Sequence, residues 1–213
     1  LAVKKNQTFR FSCYVRNAAP MRLTVRFAAD GFLYGEKTFS AVRSGCGWSK
    51  YTMTLTASGD CRHVYPEILL ASDGSLDIDL ISLFPTDTFR GRKNGLRKDL
   101  AEMLEALHPA FMRFPGGCIV EGRSFKNMYN WKETIGALTE RRTNWNRWQM
   151  DEYQLESRSS ADYFQSYGLG YYEYFQFCED IGAKPVPVMN VGMTCQWHES
   201  LLADMDKLDK WIQ

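Results

Sequence analysis

The sequence predicts a jelly-roll-like β-sandwich over residues 1–87, followed over residues 88–213 by an α/β region with parallel strands. Three observations predict it. Apolar and polar residues alternate with a period of two through the first part, clusters of turn residues separate the alternating runs, and from about residue 94 the period lengthens to that of a helix.

In TFRFSCYVR, Phe9, Phe11, Cys13 and Val15 fall on one face, with Arg10, Ser12, Tyr14 and Arg16 on the other. MRLTVRF repeats the pattern through Met21, Leu23, Val25 and Phe27, and SKYTMTLTA through Tyr51, Met53 and Leu55. One apolar face and one wet face mark an antiparallel sheet covered on one side. Turn signals lie at Asn17 to Pro20, Asp30-Gly31, Ser44 to Gly47, Ser58 to Asp60 and Asp73-Gly74, so about six short strands are expected up to LDIDLISLF at 76–84.

The second part opens with NGLRKDLAEMLEALHP, which sets Leu96, Leu100, Met103, Leu104 and Leu107 on one helical stripe. Asn94 reads as the N-cap and Pro109 as the stop. AFMRF (110–114) is a short apolar strand that breaks at Pro115. A second helix is expected from about 170 in GYYEYFQFCEDIGA, closed by Gly182, and a second strand follows in KPVPVMN (184–190). A third helix is expected from near Asp204, with Met205, Leu208, Trp211 and Ile212 on one side. Helix, short buried strand, loop, helix is the rhythm of parallel α/β architecture.

Composition narrows the functional classes. Hydrophobic residues make up 45% and aromatics 14%, enough for a packed core. The 26 basic and 25 acidic residues are interspersed, which leaves no electrostatic footprint for nucleic acid or an anionic membrane. No apolar run approaches the roughly 20 residues that span a bilayer, and LAVKKNQTFRF has the look of a strand edge rather than a signal peptide. The six cysteines form no CxxC, and His63, His108 and His198 do not stand at zinc-ligand spacing near them, so no metal is expected. Thiols of this kind read as small buried hydrophobes, with a Cys46–Cys61 pairing left open.

RFPGG (113–117) and MNVGM (189–193) both follow an expected parallel strand, where α/β folds gather ligands. Paired glycines allow close backbone approach or a positive φ; the alternative is a plain tight turn.

These segments carry a family resemblance. SLFPTDTFRGRKNGLRKDLAEMLEALHPAFMRFPGGCIVEG, then WKETIGALTERR, then GLGYYEYFQFCEDIGAKPVPVMNVGM, resemble the α-L-arabinofuranosidases of glycoside hydrolase family 51 over roughly residues 76–200. The alternating first part is similar to the carbohydrate-binding-module-like sandwich that many such enzymes carry. The resemblance implies that residues 88–213 are the early part of a (β/α)8 barrel, its second and third strands with flanking helices. It implies a retaining mechanism with two carboxylates about 5–5.5 Å apart, acid/base and nucleophile. The family's acid/base sits in an Asn-Glu pair on a later strand, and no Asn-Glu dipeptide occurs in the 213 residues. The chain therefore reads as an inactive internal fragment that lacks both catalytic glutamates. Open barrel edges would be able to associate with one another. The implied substrate is an arabinose-containing polysaccharide or oligosaccharide, with no cofactor, and such a role suits a periplasmic or secreted protein more than a cytoplasmic one.

The substrate-binding candidates are Arg113, Gly116, Gly117, Cys118, Trp131 and Asn190. Arg113 matches the arginine on the pocket floor; otherwise it is a buried arginine holding loop carbonyls. Cys118 stands where many relatives have asparagine, and a thiol is a weak donor and acceptor. Trp131 either stacks on a sugar or packs beneath its loop. Asn190 either faces the pocket or caps the next turn. Glu121 reads as a loop anchor, Trp145 and Trp148 lie in a long stretch without periodicity, and Trp48 and Tyr51 are either a sugar-binding face or core. Two rival readings remain: a carbohydrate-binding sandwich acting alone with a remnant barrel, and a small α/β hydrolase using Glu121.

Overall fold

The structure, a computed structural model, describes residues 1–43, 47–71, 74–145, 164–195 and 202–203. Cys46, Asp73, Trp148, His198 and the helix expected from Asp204 lie outside the described residues. The chain forms two compact units, Leu1–Met103 and Leu104–Gln213.

The first unit holds six strands: β1 (Thr8–Arg16), β2 (Met21–Ala29), β3 (Phe32–Val42), β4 (Ser49–Thr56), β5 (Tyr65–Leu70) and β6 (Asp77–Pro85). They form two three-stranded antiparallel sheets, ordered β4-β1-β6 and β3-β2-β5. The alternation read from sequence sets the buried face. Phe9, Phe11, Cys13 and Val15 of β1 join Leu23, Val25 and Phe27 of β2 and Met53 and Leu55 of β4 in one core. The Phe9 and Phe27 rings meet edge to face at 5.3 Å. Each large side chain so buried contributes about 1.5–3 kcal/mol. On the outer faces, hydroxyl pairs link neighbouring strands, Ser12 to Ser82 at 2.7 Å and Thr24 to Thr38 at 2.8 Å.

Helix α1 (Lys98–Ala106) begins later than the sequence suggests. Asn94 is not its N-cap: it takes a left-handed φ of 53°, and the next amide, Gly95, donates to Arg92 O at 3.0 Å. The Asn-Gly pair makes a turn, a use for which asparagine's tolerance of positive φ suits it. The apolar stripe exists but is uncovered. Leu100 is 50% exposed, Met103 68% and Leu107 75%, while Ala101 is buried.

In the second unit, β7 (Phe111–Phe114) and β10 (Lys184–Pro187) pair in parallel, with Phe111 opposite Lys184 and Phe114 opposite Pro187. Between them run the short helix α2 (Cys118–Glu121), a 3-10 turn (Trp131–Thr134), the two-residue strands β8 (Asn144–Trp145) and β9 (Phe164–Gln165), and helix α3 (Tyr171–Ile181). Gly182 closes α3 in the left-handed conformation, its amide donating to Cys178 O and Glu179 O. Helix α3 covers one face of β7. Phe114 stacks on Tyr174 at 4.7 Å and meets Tyr171 and Phe175 edge-on at 5.5 and 5.4 Å. Phe111 and Arg113, two residues apart on the opposite face, are exposed.

Candidate functional site

The C-terminal ends of β7 and β10 stand side by side because the strands are parallel and in register; Val188 N donates to Phe114 O at 2.6 Å, just past the last paired residues. After β7 the chain passes a cis Phe114–Pro115 bond and reaches Gly116 at φ 136°, which an L side chain rarely adopts. That requirement accounts for the first glycine of RFPGG. At Gly117, a Cβ would lie 3.9 Å from Nη2 of Arg113, so the guanidinium reaches back over the turn. Cys118, half-buried, then opens α2.

Asn190 is fully engaged. Its Nδ2 donates to Val120 O and Met193 O, both at 3.0 Å, and its Oδ1 accepts from Gly192 N at 2.7 Å and Met193 N at 3.1 Å. The amide has no further hydrogen-bonding capacity. It clasps the loop after β10 onto α2 and shapes the strand-end surface through the backbone.

Trp131 belongs to another part of the unit, connected to the strand ends through Tyr171. The indole stacks on Tyr171 at 6.0 Å and 17°, and the Tyr171 hydroxyl donates to Val188 O at 2.5 Å. The Trp131 Nε1 is buried and has no hydrogen-bond partner among the described residues. Trp131, Tyr171, Tyr172 and Phe175 line a cavity of about 730 Å³, with Arg141 and Glu173 among its walls. Burial pushes the Tyr171 phenol up to about 12 and raises Tyr174 as well, so both stay protonated near neutrality.

Four residues that sequence reading passed over build this region. The Arg141 side chain is 4% exposed and binds the Glu173 carboxylate through both Nη atoms, while also donating to Gly136 O and Tyr167 O. Glu173 additionally accepts from Gly170 N at 2.9 Å. Thr134 Oγ1 donates to Trp131 O at 2.8 Å and accepts from Tyr171 N at 3.1 Å. Gly170 lies so close that a Cβ there would sit 1.9 Å from Thr134 O. The signals were present in TIGALTERR and GLGYYEYF, but nothing local to either stretch reveals that they meet.

A polar knot secures the adjoining strands. Asn127 Nδ2 donates to Asn144 Oδ1 and Trp145 O, and Asn144 Nδ2 donates to the Tyr167 hydroxyl at 2.9 Å. Trp145 is 47% exposed beside this knot. In the first unit, Tyr51 packs on Phe39 and exchanges hydrogen bonds with the Arg43 backbone, while exposed Trp48 carries the Arg16 guanidinium 4.9 Å above its ring.

Residues 103–213 match the family model described as the alpha-L-arabinofuranosidase 1 domain. An extracellular exo-alpha-L-arabinofuranosidase of Streptomyces chartreusis is 39% identical over 100% of this chain, which covers 25% of that protein. Alpha-L-arabinofuranosidase 1 of Arabidopsis thaliana is 32% identical over 90% of the chain, which covers 27% of that protein. Among solved structures, the arabinose-bound MgGH51 α-L-arabinofuranosidase aligns with a TM-score of 0.82 at 25% identity, over 100% of this chain and 33% of that one. The chain thus spans about a quarter of the length of these curated relatives.

Proposed function

Because the chain belongs to the α-L-arabinofuranosidases of glycoside hydrolase family 51, we propose that it supplies one wall of the sugar pocket of a retaining enzyme that removes arabinofuranosyl side units from plant polysaccharides. In this reading residues 1–87 are a sandwich module and residues 88–213 the early part of a (β/α)8 barrel. The observation that carries it is the parallel β7–β10 pair, whose C-terminal ends set RFPGGC beside MNVGM, where barrel enzymes build their sites. Arg113, Gly116, Gly117 and Cys118 then face the sugar, Asn190 holds their backbone in place, and Trp131 offers an aromatic wall to a separate cavity of the same unit. The pocket accommodates an arabinose-containing polysaccharide or oligosaccharide. Location follows the Streptomyces relative, named as extracellular.

The chemistry requires a proton donated to the glycosidic oxygen and a carboxylate nucleophile. Glu173, the carboxylate that lines the cavity, is held by Arg141, and Glu133 pairs with Arg142 at 3.2 Å. The sequence holds no Asn-Glu pair, so in this reading the 213-residue chain alone does not turn over substrate, and the uncovered α1 stripe and β7 face favour self-association. The test is hydrolysis of an aryl α-L-arabinofuranoside by this chain and by the full-length gene product. Activity in the longer protein only supports the reading. Retaining hydrolysis by the short chain overturns its inactive-fragment part, and activity in neither overturns the substrate class.

A further inference from the structure

Beside the proposed sugar contacts, and sharing Cys118 with them, one cluster of side chains has the composition of a cation site. The ligand atoms of Cys118, Glu121 and Cys195 all lie within 4.8 Å of one another. Cys118 and Glu121 come from α2, Cys195 from the loop after β10, so no sequence motif announces the set. Cys195 is 1% exposed, and neither cysteine is in a disulfide. Half-buried Glu121 makes no side-chain hydrogen bond or ion pair among the described residues.

The backbone around the three donors is already fastened. Cys195 N donates to Gly122 O at 3.2 Å, and Asn190 Nδ2 to Val120 O at 3.0 Å, so α2 and the loop after β10 are joined on both sides of the cluster. Donors held by a braced shell are what a metal site needs beyond ligand count. We propose that Cys118, Glu121 and Cys195 bind a thiophilic divalent cation, Zn2+ being the natural occupant, with water completing a tetrahedron.

The chemistry and dimensions agree. Thiolates suit zinc, with Zn–S near 2.3 Å and Zn–O near 2.0–2.2 Å, which places tetrahedral donors roughly 3.5–3.8 Å apart. Side-chain rotation closes the remaining distance. A disulfide would need the sulfurs to approach to about 2.05 Å, a larger movement. Binding converts two thiols to thiolates, releasing two protons to solvent, so affinity rises with pH. The ion fastens two loops at the ends of β7 and β10; it has no part in bond cleavage. The inference rests on the geometry of the cluster and not on the sugar-pocket reading, and where the ion is bound Cys118 serves it rather than the sugar.

The experiment is titration of the reduced, metal-free 213-residue chain with Co2+ and then Zn2+. One equivalent of Co2+ is expected to give a thiolate-to-metal charge-transfer band that Zn2+ displaces. Cys118→Ser and Cys195→Ser should each abolish the band, and Glu121→Gln should weaken Co2+ binding about tenfold, in the range typical of lost metal-site groups. Far-UV circular dichroism of the variants, unchanged, keeps misfolding out of the result. A chain without the band, a band that survives both serine variants, or a Cys118–Cys195 disulfide found by peptide mass in the protein as isolated would each overturn the proposal.

Discussion

The Arg141 guanidinium meets the Glu173 carboxylate as two parallel hydrogen bonds, Nη1 to Oε2 at 2.8 Å and Nη2 to Oε1 at 2.9 Å. This fork ties the segment after the 3-10 turn to the first turn of α3, and it places a carboxylate near the helix N-terminus, where it is favoured. Removing one partner strands the other. Arg141→Leu should therefore cost about 1–3 kcal/mol, the loss expected when charge-assisted hydrogen bonds in a partly buried pair are broken. Arg141→Lys should recover only part, because an ammonium lacks the planar fork. Urea unfolding followed by near-UV circular dichroism, which senses the aromatic cluster around Tyr171, measures both.

Gly170→Ala is expected to be severe although it adds a single methyl. The new Cβ would fall 1.9 Å from Thr134 O, a backbone atom that cannot swing aside. Either α3 or the 3-10 turn must shift, at a cost of at least about 1–3 kcal/mol. Faster amide exchange at Tyr171 and Tyr174 than in the parent chain would report the displacement. Unchanged protection would contradict the packing described.

Asn190→Ala removes four hydrogen bonds at once and leaves backbone groups of Val120, Gly192 and Met193 short of partners. A loss of about 2–3 kcal/mol is expected, from the desolvation cost of unsatisfied buried groups. On the proposed function, the same change in the full-length protein should lower kcat and raise KM together, since it disturbs a surface rather than one contact. Arg113→Ala should raise KM there on the same reading, and in the 213-residue chain, where Arg113 is exposed, it should change thermal stability little.

Alkaline pH should destabilise the second unit through its buried phenols. The Tyr171 phenol titrates at about 12 in the folded chain against an ordinary value of 10, because burial disfavours the phenolate. Below pH 10 the group is neutral in folded and unfolded chains alike, and its full contribution is present. Above that the unfolded chain loses a proton the folded chain keeps, so stability falls steadily as pH rises towards 12. Tyr167 and Tyr174 shift in the same direction and steepen the loss. Near-UV circular dichroism of the aromatic cluster should be lost cooperatively between pH 10 and 12; a signal unchanged to pH 12 would contradict this.

Cysteine alkylation should separate the thiols. Burial pushes Cys13 up to about 11, and it lies at 0% exposure in the first core. It should remain unmodified at neutral pH until denaturant is added, whereas half-buried Cys118 should label in the native, metal-free chain. Peptide masses before and after unfolding give the order.

How much was legible in the sequence depends on the range of each cause. The period-two runs Phe9–Val15 and Met21–Phe27 read correctly because alternation follows from the pleat and needs only neighbours. Gly182 read correctly for the same reason. Asn94 did not, since cap and turn use the same residue and the choice rests on where Gly95 and Arg92 hydrogen-bond. The α1 stripe was visible, while its exposure was not, because a hydrophobic face specifies a need for cover without specifying what covers it. Of the candidate site, the backbone demand at Gly116 was local and legible. The meeting of Thr134 with Gly170, of Arg141 with Glu173, and of Cys118 with Cys195 arises from tertiary proximity, which no single stretch encodes.

The polar knot at β8 and β9 has a consequence for how such a protein can change. Asn144 bonds Asn127 and the Tyr167 hydroxyl at once and pairs with Gln165 across the two strands. One amide thus serves three segments, and a change at any of them falls on the other two. A lineage can replace Asn144 only by replacing its partners with it.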